Sequence, residues 1–228
     1  MLRKIISRKL KDANIICFDV DSTVLANEGI DELAKHLKKD EKVSKLTNQA
    51  MAGNIKFEDS LELRLDIIRP SINDINSFLK SNPPILTDNV DKFIKKLQSD
   101  KKNVYLVSGG FEPLIFPCAK LLNIPFKNVI ANKFIHNPEN GEYLSFDKTS
   151  FTSKSGGKRN ALIYIQEKHS KDGSCSMVMI GDGITDLEAK PPADIFIGYG
   201  GIRERQIVKE KSDYYIKDFH ELLDIYEL

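Results

Sequence analysis

Four short, uninterrupted apolar runs, at residues 15–18, 104–107, 177–180 and 195–197, each stop abruptly at a polar residue or a glycine. Runs of three or four residues are too short for a helix, and without polar residues at alternate places they leave no face for solvent. They suit parallel strands covered on both sides by helices. The intervening stretches carry the helical period: Val90, Phe93, Ile94 and Leu97 recur at i, i+3, i+4 and i+7 after Thr87 and Asp88, which offer a cap. The expected fold class is α/β, a Rossmann-like parallel sheet flanked by helices. Residues 129–131 offer a fifth strand, and 134–146, centred on Asn140-Gly141, read as a hairpin.

Between the first two strong runs the texture changes. Apolar stripes at Ile30, Leu33, Ala34 and Leu37, at Val43, Leu46 and Ala50, at Leu61, Leu65 and Ile68, and at Ile75, Phe78 and Leu79 predict four amphipathic helices. Residues 26–84, closed by Asn82-Pro83-Pro84, are expected to form an inserted helical domain packing against itself, with 1–25 and 85–228 forming the core.

Composition narrows the function classes. The 34 basic and 33 acidic residues are mixed along the chain and leave a formal charge of +1, so no basic stripe invites nucleic acid. No stretch of about 18 apolar residues predicts a membrane span, and the basic first twelve residues lack the apolar centre of a signal peptide. Three scattered cysteines, Cys17, Cys118 and Cys175, fit neither a disulfide framework nor a zinc site. These features point to a reducing compartment, with the cytoplasm as default. The four histidines have no ligand spacing and read as surface or helix-flank residues.

Ligands of open parallel sheets gather at the carboxyl ends of the strands. There this chain places Asp19-Val20-Asp21-Ser22-Thr23, then Ser108-Gly109-Gly110, then Gly181-Asp182-Gly183-Ile184-Thr185-Asp186. In an Asp-x-Asp pair, one carboxylate can attack phosphorus while the other manages a proton, splitting a difficult hydrolysis into two easier steps. An anionic nucleophile nearing an anionic phosphate needs cations. Asp19 and Asp182 offer hard oxygen ligands for Mg²⁺, and Lys158 supplies a fixed charge. Lys158 opens a helical pattern, where a positive charge opposes the helix dipole, so its position calls for an anion, with phosphate the natural candidate. Ser108 and the N–H groups of Gly109 and Gly110 can hold phosphate oxygens near a helix start, which Pro113 fits.

Together with Ser155-Gly156-Gly157-Lys158, these motifs in this order resemble the haloacid dehalogenase superfamily, and within it the members that hydrolyse phosphoserine. The resemblance covers nearly the whole chain, with residues 26–84 similar to the family's small cap. It implies that Asp19 is phosphorylated and that Asp21 protonates the departing serine oxygen and later activates water. Mg²⁺ would bind Asp19, Asp182 and the backbone carbonyl of Asp21. It also implies that Glu28 and Arg64 grip the amino and carboxylate ends of phosphoserine, and that Met51 and Gly53 belong to a cap segment closing over it. Ala52 stands where the family usually has glycine. Lys158 and Thr185 match phosphate-side positions, and Asp186 matches a residue supporting the loop rather than touching metal.

The other readings are a structural role for Glu28 at a helix N-terminus and a salt bridge within the insertion for Arg64. For the whole chain they are phosphotransfer to an alcohol, action on another small phosphomonoester, or a sensor that binds without turnover. Homodimers are common among similar proteins, and the sequence leaves dimerisation open.

Overall fold

The structure is a computed structural model that describes residues 1–51, 56–170 and 175–228, with 47–51 described in backbone only. Its centre is a six-stranded parallel sheet of order β3-β2-β1-β6-β7-β8. The strands are β1 (Ile15–Phe18), β2 (Asn103–Phe111), β3 (Val129–Asn132), β6 (Met177–Gly181), β7 (Ile195–Tyr199) and β8 (Tyr214–Ile216). All residues of β1, β6 and β7 are buried. Successive side chains of a strand point to opposite faces, and both faces are packed. Ile16, Phe18, Val178 and Ile180 join a cluster with Ile6, Leu10, Phe93, Phe219 and Leu222. Ile15, Cys17, Met177 and Met179 join another with Ala161, Leu162 and Ile165. This double burial is why the runs contain no polar alternation.

The first cluster is roofed by α1 (Leu2–Asp12), α6 (Val90–Ser99), α7 (Glu112–Leu121) and α11 (Phe219–Tyr226), and the second by α8 (Gly157–His169) and α10 (Gln206–Lys211). The basic first residues therefore form a helix that buries Ile6 and Leu10, spaced one turn apart. Thr87 does not cap α6. Asn89 occupies the N-cap, and the Thr87 hydroxyl instead donates to the Thr23 carbonyl at 2.7 Å. Strand β2 runs on past its apolar stretch, so Ser108-Gly109-Gly110 lie within it, where its register against β3 shifts between Val107 and Phe111.

The chain leaves the sheet and returns through one neck. Leu25 bridges Leu86, the Ala26 N–H donates to the Ile85 carbonyl at 2.9 Å, and the Thr87 N–H donates to Val24 at 3.0 Å. Between these points run α2 (Gly29–His36), α3 (Asp40–Met51), α4 (Phe57–Ile68) and α5 (Ile72–Ser81). Their apolar stripes do not pack only on themselves. Ile30, Leu33, Leu61, Leu65 and Ile75 share one cluster with Phe111 and Leu114 and with Tyr143 and Phe146 of the hairpin β4 (Phe134–His136) and β5 (Tyr143–Phe146). At the α4–α5 corner the Ile72 N–H donates to Gly141 at 3.0 Å and Arg69 Nη2 donates to the Tyr143 carbonyl at 3.1 Å. His136, expected at the surface, is part-buried beneath this corner, with Nε2 3.0 Å from the Pro70 carbonyl.

Leu65 is 1% exposed in that shared cluster. Leu65→Ala should destabilise the protein by about 2–5 kcal/mol. Because the cluster spans insertion and core, urea unfolding followed by circular dichroism should remain a single transition; an early, separate loss of helix would show an insertion that folds on its own.

Candidate active site

Asp19 directly follows β1, and its N–H donates to the Ile180 carbonyl at 2.8 Å, so the sheet ladder fixes its backbone. Its carboxylate is 2.5 Å from Lys158 Nζ, which also donates to Asp186 Oδ1 at 2.7 Å. All three residues are buried. Burial alone would strip the Lys158 charge, but Asp186 and Asp19 overcome it and hold the ammonium well above its ordinary range. The anion that its helix-start position calls for is thus provided by the protein itself. The lysine is presented by a tight turn: Gly156 has φ +71°, and a Cβ on Gly157 would lie 2.2 Å from the Phe151 carbonyl oxygen.

Asp182, after β6, is also buried. Its Oδ1 accepts from Thr23 Oγ1 at 3.4 Å and its Oδ2 from Arg205 Nε at 3.2 Å. Burial, with Asp19 and Asp186 nearby, pushes its carboxyl up to about 8. Asp186 is raised to about 7 by burial and then by Asp19. Its Oδ2 accepts the Gly183 N–H at 2.9 Å, so both oxygens are engaged within the protein, one on the loop and one on Lys158. One carboxylate oxygen each of Asp19, Asp182 and Asp186 lies within 4.8 Å of the others. Such a set of hard donors fits a divalent cation.

Asp21 sits apart from that cluster. Its Oδ1 accepts the Gly29 N–H at 2.8 Å and its Oδ2 faces Ser108 Oγ at 3.4 Å. Burial, then Glu28, raises it to about 7 against the lowering effect of the Gly29 N–H. A carboxyl that exchanges its proton near neutrality suits acid–base work.

A cavity of about 320 Å³ opens over these groups. Asp19, Asp21, Gly109, Gly110, Lys158, Asp182, Thr185 and Asp186 line it on the sheet side, and Glu28 and Arg64 line it on the insertion side. Ser108 is fully buried; its Oγ accepts the Gly110 N–H at 2.8 Å, so this hydroxyl and N–H face each other. Met51 ends α3, and its side chain, with Ala52 and Gly53, lies outside the described residues. Glu28 makes no side-chain cap to α2; its carboxylate instead accepts from Ser22 Oγ at 2.8 Å and faces Arg203 Nε at 3.6 Å. Burial lowers the Arg64 guanidinium, with Asp31, Glu28 and Asp21 acting to keep it charged. Its Nε donates to the Ser60 carbonyl at 3.3 Å.

Sequence reasoning missed Arg205, Asp31 and Phe57, all on the cavity wall. Arg205 was within reach of the strand-end rule: it lies in the segment after β7, a fourth strand end that carries no carboxylate motif. Asp31 and Phe57 left no signal beyond ordinary helix composition.

A family model for haloacid dehalogenase-like hydrolases matches residues 13–191. A phosphoserine phosphatase of Drosophila melanogaster is 46% identical over 217 residues, covering 95% of this chain and 79% of that protein. One of Homo sapiens is 46% identical over 214 residues, with 92% of each covered. Among solved structures, a substrate-bound phosphoserine phosphatase complex superposes with a TM-score of 0.79 at 28% identity, covering 93% of this chain and 98% of that one.

The three raised aspartates set a sign for stability. Their unfolded values lie near 3.8 and their folded values near 7 to 8, so between about pH 4 and 8 the folded state binds more protons. Their contribution is full below about pH 4, falls as pH rises from there, and is gone once pH has passed through the folded values of 7 to 8. A divalent cation relieves the crowding only once the carboxyls ionise. Saturating Mg²⁺ should therefore raise Tm more at pH 8 than at pH 5 in thermal melts; equal shifts at both would show that the carboxylates are not the ion's site.

Proposed function

The chain belongs to the haloacid dehalogenase-like hydrolases, and we propose that it is a phosphoserine phosphatase, releasing serine and phosphate. The observation carrying the substrate is the shared cavity: Glu28 and Arg64, one anion and one cation, line the same space as the Asp19–Asp21 pair. A phosphoserine bound with its phosphate at Asp19 would present its ammonium to Glu28 and its carboxylate to Arg64. On this reading residues 26–84 are the cap over the bound amino acid.

Asp19 attacks phosphorus, the P–O bond to serine breaks, and the leaving oxygen takes the proton from Asp21. The result is an aspartyl phosphate and an ionised Asp21. Asp21 then removes a proton from water as that water attacks phosphorus, which frees phosphate, restores the Asp19 carboxylate and reprotonates Asp21. The raised pKa of Asp21 serves both directions of this exchange. Lys158, held charged between Asp19 and Asp186, offsets the repulsion between nucleophile and phosphate. Gly109, Gly110 and Thr185 line the phosphate side, Ser108 supports them from behind, and Asp186 fixes the loop after β6 through Gly183. These hydrolases generally use a metal ion, and Mg²⁺ held by Asp19, Asp182 and the Asp21 carbonyl would neutralise charge where nucleophile and phosphate meet.

Phosphate release across a panel of phosphomonoesters with Mg²⁺ should favour phosphoserine, and Asp19→Asn should abolish it. A panel in which phosphoethanolamine or a sugar phosphate does as well would sink the substrate assignment. Arg64→Ala should lower kcat/KM for phosphoserine about 10- to 150-fold, the loss of a charge-assisted contact worth about 1.5–3 kcal/mol. It should spare a small phosphoester lacking a carboxylate; equal losses on both would mark Arg64 as structural.

A further inference from the structure

The turn that presents Lys158 is held from two sides. On the core side it is pinned by close packing of Gly157 against Phe151 and Thr152, and the Gly157 N–H donates to Lys154 at 3.0 Å. On the other side it is held by the insertion: the Ser155 N–H and Oγ both donate to Glu58 Oε2, at 3.2 and 2.9 Å. Glu58 lies in the first turn of α4, the helix that carries Arg64. Its carboxyl is held below the usual range by its own backbone N–H and then by the Ser155 hydroxyl. One turn further along the same helix, Glu62 Oε1 pairs with Lys148 Nζ at 2.5 Å. Beyond the other end of α4, the corner formed by Arg69, Pro70 and Ile72 is anchored to the hairpin. Helix α4 is thus tied to the sheet domain at both ends, and the tie at its N-terminal end falls on the catalytic lysine's own turn.

We infer that Glu58 is a positioning residue that couples the seating of α4, and with it Arg64, to the placement of Lys158 beside Asp19. Glu62 and Lys148 form the second half of the same latch. The inference rests on the reading of Lys158 as the phosphate-side cation, and not on phosphoserine as substrate. The contacts are exposed, so each is weak, and the expected effects are several-fold rather than complete.

The test is steady-state kinetics of Glu58→Ala, Ser155→Ala and the double variant, on phosphoserine and on a phosphoester lacking amino and carboxylate groups. Each single change should raise KM about 2- to 5-fold on both substrates with Tm unchanged. The double variant should be no worse than either single one. Arg64→Ala, by contrast, discriminates between the substrates, so a failed phosphoserine assignment leaves this test intact. Charge reversal offers a second arm: Glu62→Lys and Lys148→Glu should each raise KM, and together restore it. Hydrogen exchange at the Gly157 and Lys158 amides, faster in Glu58→Ala, reads the same coupling without turnover. An unchanged KM, additive losses in the double variant, or unaltered exchange would overturn it.

Discussion

Everything at the catalytic end of this molecule depends on one buried ammonium, Lys158, lodged between the carboxylates of Asp19 and Asp186. Three buried aspartates, at 19, 182 and 186, meet at the ends of two adjacent strands with the half-buried Asp21 nearby, and without a cation the three could not all be ionised. Lys158 reaches them because α8 begins with a glycine turn that no bulkier residue could make, and because that helix packs on the sheet through Ala161, Leu162 and Ile165. Three of the four carboxyls nevertheless remain strained toward their neutral forms. A divalent ion at the cluster would relieve that crowding, and in the proposed mechanism the proton of Asp21 is the one lent to the leaving oxygen.

The insertion side of the cavity is built onto this centre by a different set of contacts. The insertion shares its apolar cluster with Phe111, Leu114 and the β4–β5 hairpin, so its helices are an extension of the core fastened at the neck and at the α4–α5 corner. Glu28 stands at the near end of that extension and Arg64 in its middle. The distance between Glu28 and Arg64 on one side of the cavity and Asp19 on the other is therefore fixed by packing, with Phe57 lying against Gly109 as one direct link.

Much of this was legible in the sequence, for definite reasons. Doubly buried strands cannot contain polar alternation, so they stand out as runs, and the rule that ligands gather at strand ends then selects Asp19, Asp21, Ser108 and Asp182 without reference to any relative. What was not legible depended on contacts distant in sequence. Thr87 has the chemistry of a helix cap and spends its hydroxyl on Thr23 instead. The apolar residues of the insertion show that it has a buried face, and not that Tyr143 and Phe146 help bury it. Arg205 lies after a strand whose following glycines carry no motif, and only the fold brings it to Asp182.

The sheet order has a consequence in time. β1 lies between β2 and β6, and the lysine that holds its aspartate is 139 residues further on. A ribosome making this chain delivers Asp19 long before Lys158, Asp182 and Asp186. The acidic cluster of Asp19, Asp182 and Asp186, with Lys158 on it, is therefore closed only when α8 and β6 take their places against a strand made long before.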